Sequence, residues 1–278
     1  IDLSTMDQVL EVNVEDLYCV VEPGVIYAKL NRQLSPKKFF FPPSPGSSDV
    51  CTIGGMVACN ASGMRAIKYG ATRDYVLGLE VVLPDGSIVH MGTRTIKNSS
   101  GYQLEKLMVG SEGTLGVITK ITLRLLPLPK KRAIAIASFD DIEQAGQGIS
   151  NIVASGLQPS GLEIMDSVCI RAVNKATGTG LPDCDAIIIA EVDGHEVVVK
   201  QDIEAIASIC RKSGATRVDF THKQEEMASL WQGRKSVLPS LSRYGEDSVS
   251  VSLADDMSVP ISRIPVAIKR FQDIAEEH

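Results

Sequence analysis

Two stretches of this chain hold residues whose chemistry would run through the backbone. The first is "CTIGGMVACNASG", Cys51 to Gly63, which combines glycines, alanines and one asparagine with hardly a large side chain. Gly54, Gly55 and Gly63 carry no Cβ, so a flat or phosphorylated ligand could lie in van der Waals contact with that backbone. Its N–H groups could then point at oxygens or ring nitrogens. The Asn60 amide both donates and accepts. The second stretch is "VGSEGTLGVIT", Val109 to Thr119, in which three glycines surround Glu112 and run into a strand-like pattern. Taken singly, each glycine is explained by tight loop packing. Taken as two clusters, they read as a ligand cradle. The phosphate loop G-x-x-x-x-G-K-[ST] is absent, and no G-x-G-x-x-G opens a helix after a strand. The ligand is therefore not expected to be held as in the common nucleotide-binding folds. "GTLGVIT" reads as a strand whose backbone is itself a hydrogen-bonding edge.

Few side chains stand out. Arg234 in "WQGRKS", read alone, is a surface helix arginine beside Lys235. Trp231, the single tryptophan, reads as a domain-interface anchor. His90, His195, His222 and His278 are unpaired at metal-ligand spacing, so each is read as solvated or structural and no metal site is expected. Arg73 and Asp74 read as a local ion pair. Lys97 and Tyr102 are expected to shape the loop that leads to the next helix. Cys19, Cys51, Cys59, Cys169, Cys184 and Cys210 form no C-x-x-C and lie among apolar or small residues. They read as buried free thiols of a reducing compartment, the cytoplasm or an organelle matrix.

The elements that must position these residues are legible in part. "IDLS" and "VLEVNVEDLYCVVEPG" read as short strands, and "VIYAKLNRQLSP" as a helix carrying Ile26, Leu30 and Leu34 on one face. "FFFPPSPGS" is an irregular extended loop. "LGLEVVLPDGSIVHMG" is a hairpin around Pro-Asp-Gly. After "LPLPKKR" the pattern changes to strand-helix repeats: "AIAIASF", "DDIEQAGQGISNIVASG", "SGLEIMD", "SVCIRAVNKATG", "DAIIIAEVDG", "VVVKQDIEAIASICRKSG" and "ATRVDF". That alternation suits an antiparallel sheet with helices on one face. The domain boundary is expected near 128–132, with units at 1–129 and 132–278. A net charge of −6 argues against nucleic-acid binding, and no apolar run approaches the roughly 18 residues of a membrane span. The chain opens in what reads as mid-strand and closes inside a helix. It therefore reads as an interior segment of a longer protein.

From "FPPSPGSSDVCTIGGMVACNASG" through "KNSSGYQLEKLMVGSEGTLGVITKITLRLLPLP", several separated motifs occur in an order that resembles the FAD-binding domain of the vanillyl-alcohol oxidase/p-cresol methylhydroxylase superfamily. The likeness is strongest to its glycolate oxidase and cytochrome-linked D-lactate dehydrogenase branch. "SLWQGRKSVLP" to "VSLADDMSVPISRIP" resembles the start of that family's substrate (cap) domain. The resemblance implies an α+β fold: the second subdomain of a p-cresol methylhydroxylase-type (PCMH-type) FAD-binding domain, then a ferredoxin-like cap of antiparallel sheet plus helices, truncated at both ends. It implies FAD as cofactor, with Pro45, Gly46 and Ser47 near the isoalloxazine. It further implies Thr52, Gly54, Gly55, Ala58, Asn60 and Gly63 along the flavin and diphosphate chain, and Glu112, Gly116 and Ile118 toward the adenosine half. It makes Arg234 the substrate-side arginine, because a planar guanidinium binds a carboxylate bidentately. The implied reaction oxidises a small 2-hydroxy acid, of D-lactate or glycolate type, by hydride transfer to flavin. The electron acceptor is left open among a quinone, a cytochrome, an electron-transfer flavoprotein and a partner subunit. No base and no covalent flavin site are legible. The segment alone is expected to bind FAD weakly and to be inactive. The alternatives are an alkyl-dihydroxyacetonephosphate synthase-like transferase and a non-catalytic subunit that keeps the fold.

Overall fold

A computed structural model describes residues 1–244 and 257–277. The first six residues of "VSLADDMSVPISRIP" and His278 lie outside the described residues. The chain divides into two compact units, Ile1–Leu128 and Pro129–His278.

In the first unit the elements run β1 (Val9–Asn13), β2 (Tyr18–Val21), α1 (Tyr27–Leu34), β3 (Phe39–Phe40), α2 (Ile53–Ala58), α3 (Ala66–Tyr69), β4 (Val76–Val82), β5 (Ile88–Gly92), α4 (Leu104–Met108), β6 (Val117–Arg124) and β7 (Leu126–Pro127). Five strands form one antiparallel sheet in the order β1-β2-β6-β4-β5. One face packs on α1 and α2 through Cys19, Val21, Leu30, Leu34, Phe41, Ile53, Met56, Val57, Ile121 and Leu123. Each large aliphatic or aromatic side chain fully buried there contributes about 1.5–3 kcal/mol. The expected hairpin is present, Gly78–Val82 pairing with Ile88–Gly92. Three local expectations change. "IDLS" is not a strand. It runs irregularly past Gly24, where a Cβ would meet the carbonyl oxygens of Leu3, Ser4 and Met6 at 2.7–2.8 Å. Phe39 and Phe40, read as loop, pair with Pro127 and Leu126. "IGGMVA", also read as loop, is the helix α2, because Thr52 caps it by accepting the Gly55 N–H at 3.2 Å.

The second unit runs β8 (Lys131–Phe139), α5 (Ile142–Ala154), β9 (Gly161–Asp166), α6 (Ser167–Thr177), β10 (Ala186–Gly194), α7 (Glu196–Lys212), β11 (Arg217–Thr221), α8 (Gln224–Lys235), α9 (Val237–Leu241) and α10 (Ile264–Glu277). Its strands are antiparallel in the order β11-β8-β10-β9. That order fits the ferredoxin-like cap that the resemblance implies. Helices cover both sheet faces, not the single face expected. Ala133, Ala135 and Ala137 of β8 meet α5 and α7, while Ile134 and Ile189 face Ile170, Leu230 and Trp231. Strands buried on both sides lose their polar alternation, so "AIIIA" at 186–190 could not report which face was covered. Among the described residues no helix is long and apolar enough to cross a membrane.

Candidate functional site

The two glycine clusters meet. The C-terminal carbonyls of α2 have no partner within the helix. Val57 O accepts the Gly110 N–H at 2.9 Å, and Ala58 O accepts the Glu112 N–H at 2.9 Å. The second cluster therefore closes the end of the first. Asn60 and Glu112 make this junction in left-handed backbone, with φ of 49° and 52°. That conformation is uncommon outside glycine, though asparagine tolerates it best. Asn60 Oδ1 accepts the Arg73 N–H at 2.9 Å, and Arg73 Nη2 donates to Val109 O at 2.7 Å. Arg73 therefore does not form the expected ion pair with Asp74. It ties the two loops together, while Asp74 accepts the Ala71 N–H at 2.8 Å.

Beside this junction lies a cleft of about 500 Å³. Thr52, Gly54, Gly55, Ala58, Gly116 and Ile118 line it, six of the twelve residues expected to face a cofactor. Gly113 and Val117, from the second cluster, line it too, and Pro23 with residues 1–4, which the sequence did not single out, complete the wall. Pro45, Gly46, Ser47, Asn60, Gly63 and Glu112 do not line it. Pro45 and Ser47 belong to a turn in which Ser47 O accepts from Val50 N and Cys51 N at 2.9 Å. Gly63 packs on that turn, where a Cβ would lie 2.0 Å from Ser44 O.

The glycines serve different ends. At Gly54 a Cβ would meet Pro23 Cβ at 2.5 Å, and at Gly116 it would meet Val81 Cγ1 at 2.7 Å. Both are small because protein packs on them. Their surroundings also redirect the N–H groups: Ile53 N–H goes to Val25 O at 2.7 Å and Gly54 N–H to Pro23 O at 2.8 Å. Gly55 and Gly113 are different. A Cβ on Gly55 would meet only Thr52 Oγ1, at 3.2 Å, and one on Gly113 would meet nothing within 4 Å. Both line the cleft, and Gly113 is in left-handed backbone as well, with φ of 76°. The start of β6 also faces it. On β6, β2 pairs only with Ile121–Arg124, so among the described residues Val117–Lys120 has β4 as its one strand partner. β6 is thus interior to the sheet, and only its first residues form the edge expected of "GTLGVIT". The lining is mostly apolar and backbone, with one acid, Asp2, and no lysine or arginine. A flat, largely uncharged group fits these walls; a phosphate finds no cation in them.

In the second unit Arg234 lies near the end of α8. Its Nε and Nη2 donate to one oxygen of Glu163, Oε2, at 2.8 and 2.7 Å. One turn earlier, Trp231 Nε1 donates to Glu191 Oε2 at 2.7 Å, and Ser160 Oγ donates to Glu191 Oε1 at 3.0 Å. Trp231 is thus an anchor within this unit. Glu163 and Glu191 were not singled out from sequence. The available signal was an acid inside the apolar run "AIIIAEV", which calls for a partner wherever both sheet faces are covered.

The other expectations resolve locally. All six cysteines are free. Cys19 and Cys210 are buried, and burial raises their thiols to about 12 and about 11. Cys59, expected to be buried, is exposed at the end of α2. Tyr102 is 93% exposed. His90 lies 3.8 Å from Glu80, and His195 precedes α7.

The family described as FAD binding domain matches residues 1–92, and the one described as FAD linked oxidases, C-terminal domain, matches residues 128–278. The glycolate oxidase subunit GlcD of Bacillus subtilis is 38% identical over 98% of this chain and 57% of its own length. The mitochondrial D-lactate dehydrogenase [cytochrome] of Arabidopsis thaliana is 37% identical over 97% of this chain and 47% of its own. The chain thus spans about half the length of the curated relatives it matches. Among solved structures, alkyldihydroxyacetonephosphate synthase superposes with a TM-score of 0.70 at 21% identity, over 87% of this chain and 46% of that one. p-Cresol methylhydroxylase superposes at 0.66 and 17%, over 85% and 51%. At these identities the likeness to the solved structures is one of fold.

Proposed function

The chain belongs to the FAD-linked oxidases, whose C-terminal domain family matches more than half of it, and from that premise we propose that it forms part of a flavoenzyme oxidising a small 2-hydroxy acid of glycolate or D-lactate type. FAD is the cofactor of the family. The observation that carries the proposal is the convergence of two distant glycine clusters on one cleft. Relatives named for glycolate and D-lactate oxidation support the substrate class.

In this reading Gly55, Ala58 and Gly113 leave room for an uncharged part of FAD, and the Gly116–Ile118 backbone lies beside it. Thr52 holds α2 in shape through its cap and keeps the Gly55 backbone at the cleft. Pro45, Gly46, Ser47, Asn60, Gly63 and Glu112 shape the loops behind that surface. When bound, FAD supplies the two-electron acceptor for the substrate Cα–H. Arg234 binds the substrate carboxylate and so fixes which face of Cα is presented. An arginine keeps its charge throughout turnover and offers a planar fork. Six free thiols support a reducing compartment such as the cytoplasm. The acceptor for the second half-reaction is a quinone, a cytochrome, an electron-transfer flavoprotein or a partner subunit.

The test is the visible spectrum of the flavin-loaded enzyme, bleached anaerobically with D-lactate or glycolate. Arg234→Ala should lower kcat/KM by about 2–5 kcal/mol, as for truncating one partner of a buried charge pair. Arg234→Lys should recover part of it. Full bleaching rates in Arg234→Ala at matched flavin content would remove Arg234 from the site.

A further inference from the structure

We propose that the first unit holds a second small-molecule site, a polar chamber that takes a compact carboxylate with a hydrogen-bond donor on the neighbouring carbon. The chamber is separate from the cleft, since no residue lines both. It is separate from Arg234 as well, which belongs to the second unit.

The chamber measures about 90 Å³ and is lined from β4, the residues after β5, α4 and the end of β6. Four charged residues line it: Asp74, Glu105, Lys106 and Arg124. The rest of the lining is uncharged. Two of the four are engaged with the backbone. Lys106 Nζ donates to the carbonyl oxygens of Arg73 and Val76. Asp74 Oδ2 accepts the Ala71 N–H at 2.8 Å. The other two are left unmatched. Arg124 Nε is the one buried side-chain nitrogen or oxygen without a hydrogen-bond partner among the described residues. Glu105, in the first turn of α4, is only 4% exposed. No ion pair joins it to Arg124 among the described residues. A charge taken out of water without a partner is costly, and here a guanidinium and a carboxylate share one small space.

A ligand that satisfies both needs an anion for Arg124 and a donor for Glu105. A bare anion meets the first and is repelled by the second. A carboxylate with a hydroxyl or ammonium on the next carbon meets both at once. Its carboxylate accepts from the guanidinium, and its hydroxyl or ammonium donates to Glu105. Glycolate and glycine are the smallest compounds of this kind, and the size of the chamber selects for such small ones. The four charged residues sum to zero, so glycine leaves the chamber neutral and glycolate adds one negative charge. The walls are fixed before any ligand arrives. Arg124 N–H donates to Tyr75 O at 2.8 Å, and Lys106 ties α4 to the start of β4. A site held in shape by its own protein loses little to ordering on binding.

The experiment is titration calorimetry of the flavin-free chain with glycolate, glycine and acetate, so its outcome does not depend on the reading of the cleft or of Arg234. Glycolate or glycine should bind saturably, and which of them binds tighter identifies the natural donor. Acetate lacks the donor and should bind about tenfold or more weakly, the scale of one hydrogen bond to a charged group. Arg124→Gln should abolish the binding. Glu105→Gln should bring the better ligand down toward acetate. No saturable binding of any of the three, acetate binding as tightly as the others, or full binding in Arg124→Gln would each overturn the proposal. If either variant does not fold, wild-type crystals soaked in the better ligand decide. Ligand density between Arg124 and Glu105 supports the site, and ordered water only overturns it.

Discussion

Replacing Gly54 and Gly55 by alanine, one at a time, should separate packing from ligand contact at neighbouring positions. At Gly54 the new Cβ would lie 2.5 Å from Pro23 Cβ, 2.9 Å from Pro23 O and 3.0 Å from Pro23 Cα. Carbon pairs rest at about 3.5–4.0 Å, so two backbone segments must part by roughly 1 Å. Overpacking of this kind costs about 1–3 kcal/mol. The Gly54 N–H to Pro23 O bond, 2.8 Å long, would stretch with it, for about 0.5–1.5 kcal/mol more. The gain in helix propensity returns at most about 1 kcal/mol. The net loss is about 1–3 kcal/mol, or about 4–12 °C in the melting of a unit this size. At Gly55 the only close atom is Thr52 Oγ1 at 3.2 Å, on a side chain that can shift. Stability there should stay within about 0.5 kcal/mol, since propensity and the mild contact offset each other. The methyl would instead stand in the cleft and weaken FAD binding by about tenfold, or 1.4 kcal/mol. Circular dichroism melting reads the first quantity and flavin fluorescence titration the second. Equal melting shifts in the two variants would refute the packing argument. Unchanged FAD affinity in Gly55→Ala would refute the cleft as the cofactor surface.

Other outcomes follow from contacts already described. Trp231→Phe removes a donor from buried Glu191 and should cost about 1.5–3 kcal/mol, the range for a hydrogen bond to a charged group, measured by urea denaturation of the second unit. Glu80 is held below its ordinary 4.5, first by its hydrogen bond from Lys120. The stability it adds is full above that value and disappears as pH falls through the lowered one, so Lys120→Met should flatten the acid limb of the pH–stability curve. Cys59 should alkylate first in the native protein near pH 8, while Cys19 and Cys210, raised by burial to about 12 and about 11, stay unreacted. Mass spectrometry of the tryptic peptides reads the order, and early labelling of Cys19 would contradict its burial.

Periodicity and punctuation carried the second unit into view. The β-α-β alternation specified the number of strands and their antiparallel sheet, but not that helices cover both of its faces. The same reasoning missed α2, because "IGGMVA" has two glycines and no room for a periodic pattern. Its helix depends on the Thr52 cap and on protein packed against Gly54, neither visible locally. The glycines divide in an informative way. A missing Cβ says that something comes close, but not what. At Gly54, Gly63 and Gly116 that something is Pro23, Ser44 and Val81. Only at Gly55 and Gly113 does the space open toward the cleft.

The acids of the second unit make the complementary point. An amphipathic helix usually binds its sheet through an apolar stripe. In α8 only Gly233 is fully buried, and Met227, Leu230 and Trp231 are partly so. Such a helix needs other contacts to fix its rotation, and two polar ones one turn apart supply them: Trp231 to Glu191 and Arg234 to Glu163. Hydrogen bonds are directional where apolar contact is not. A helix held this way is set to within a narrow rotation, and with it the outward edge of the Arg234 fork. That explains why an acid sits in an otherwise apolar strand at 186–192, where burial without a partner would be costly. It also explains why Arg234 read as an ordinary surface arginine beside Lys235. The residues that make Arg234 different are on β9 and β10, more than 40 positions upstream, and no window around "WQGRKS" contains them.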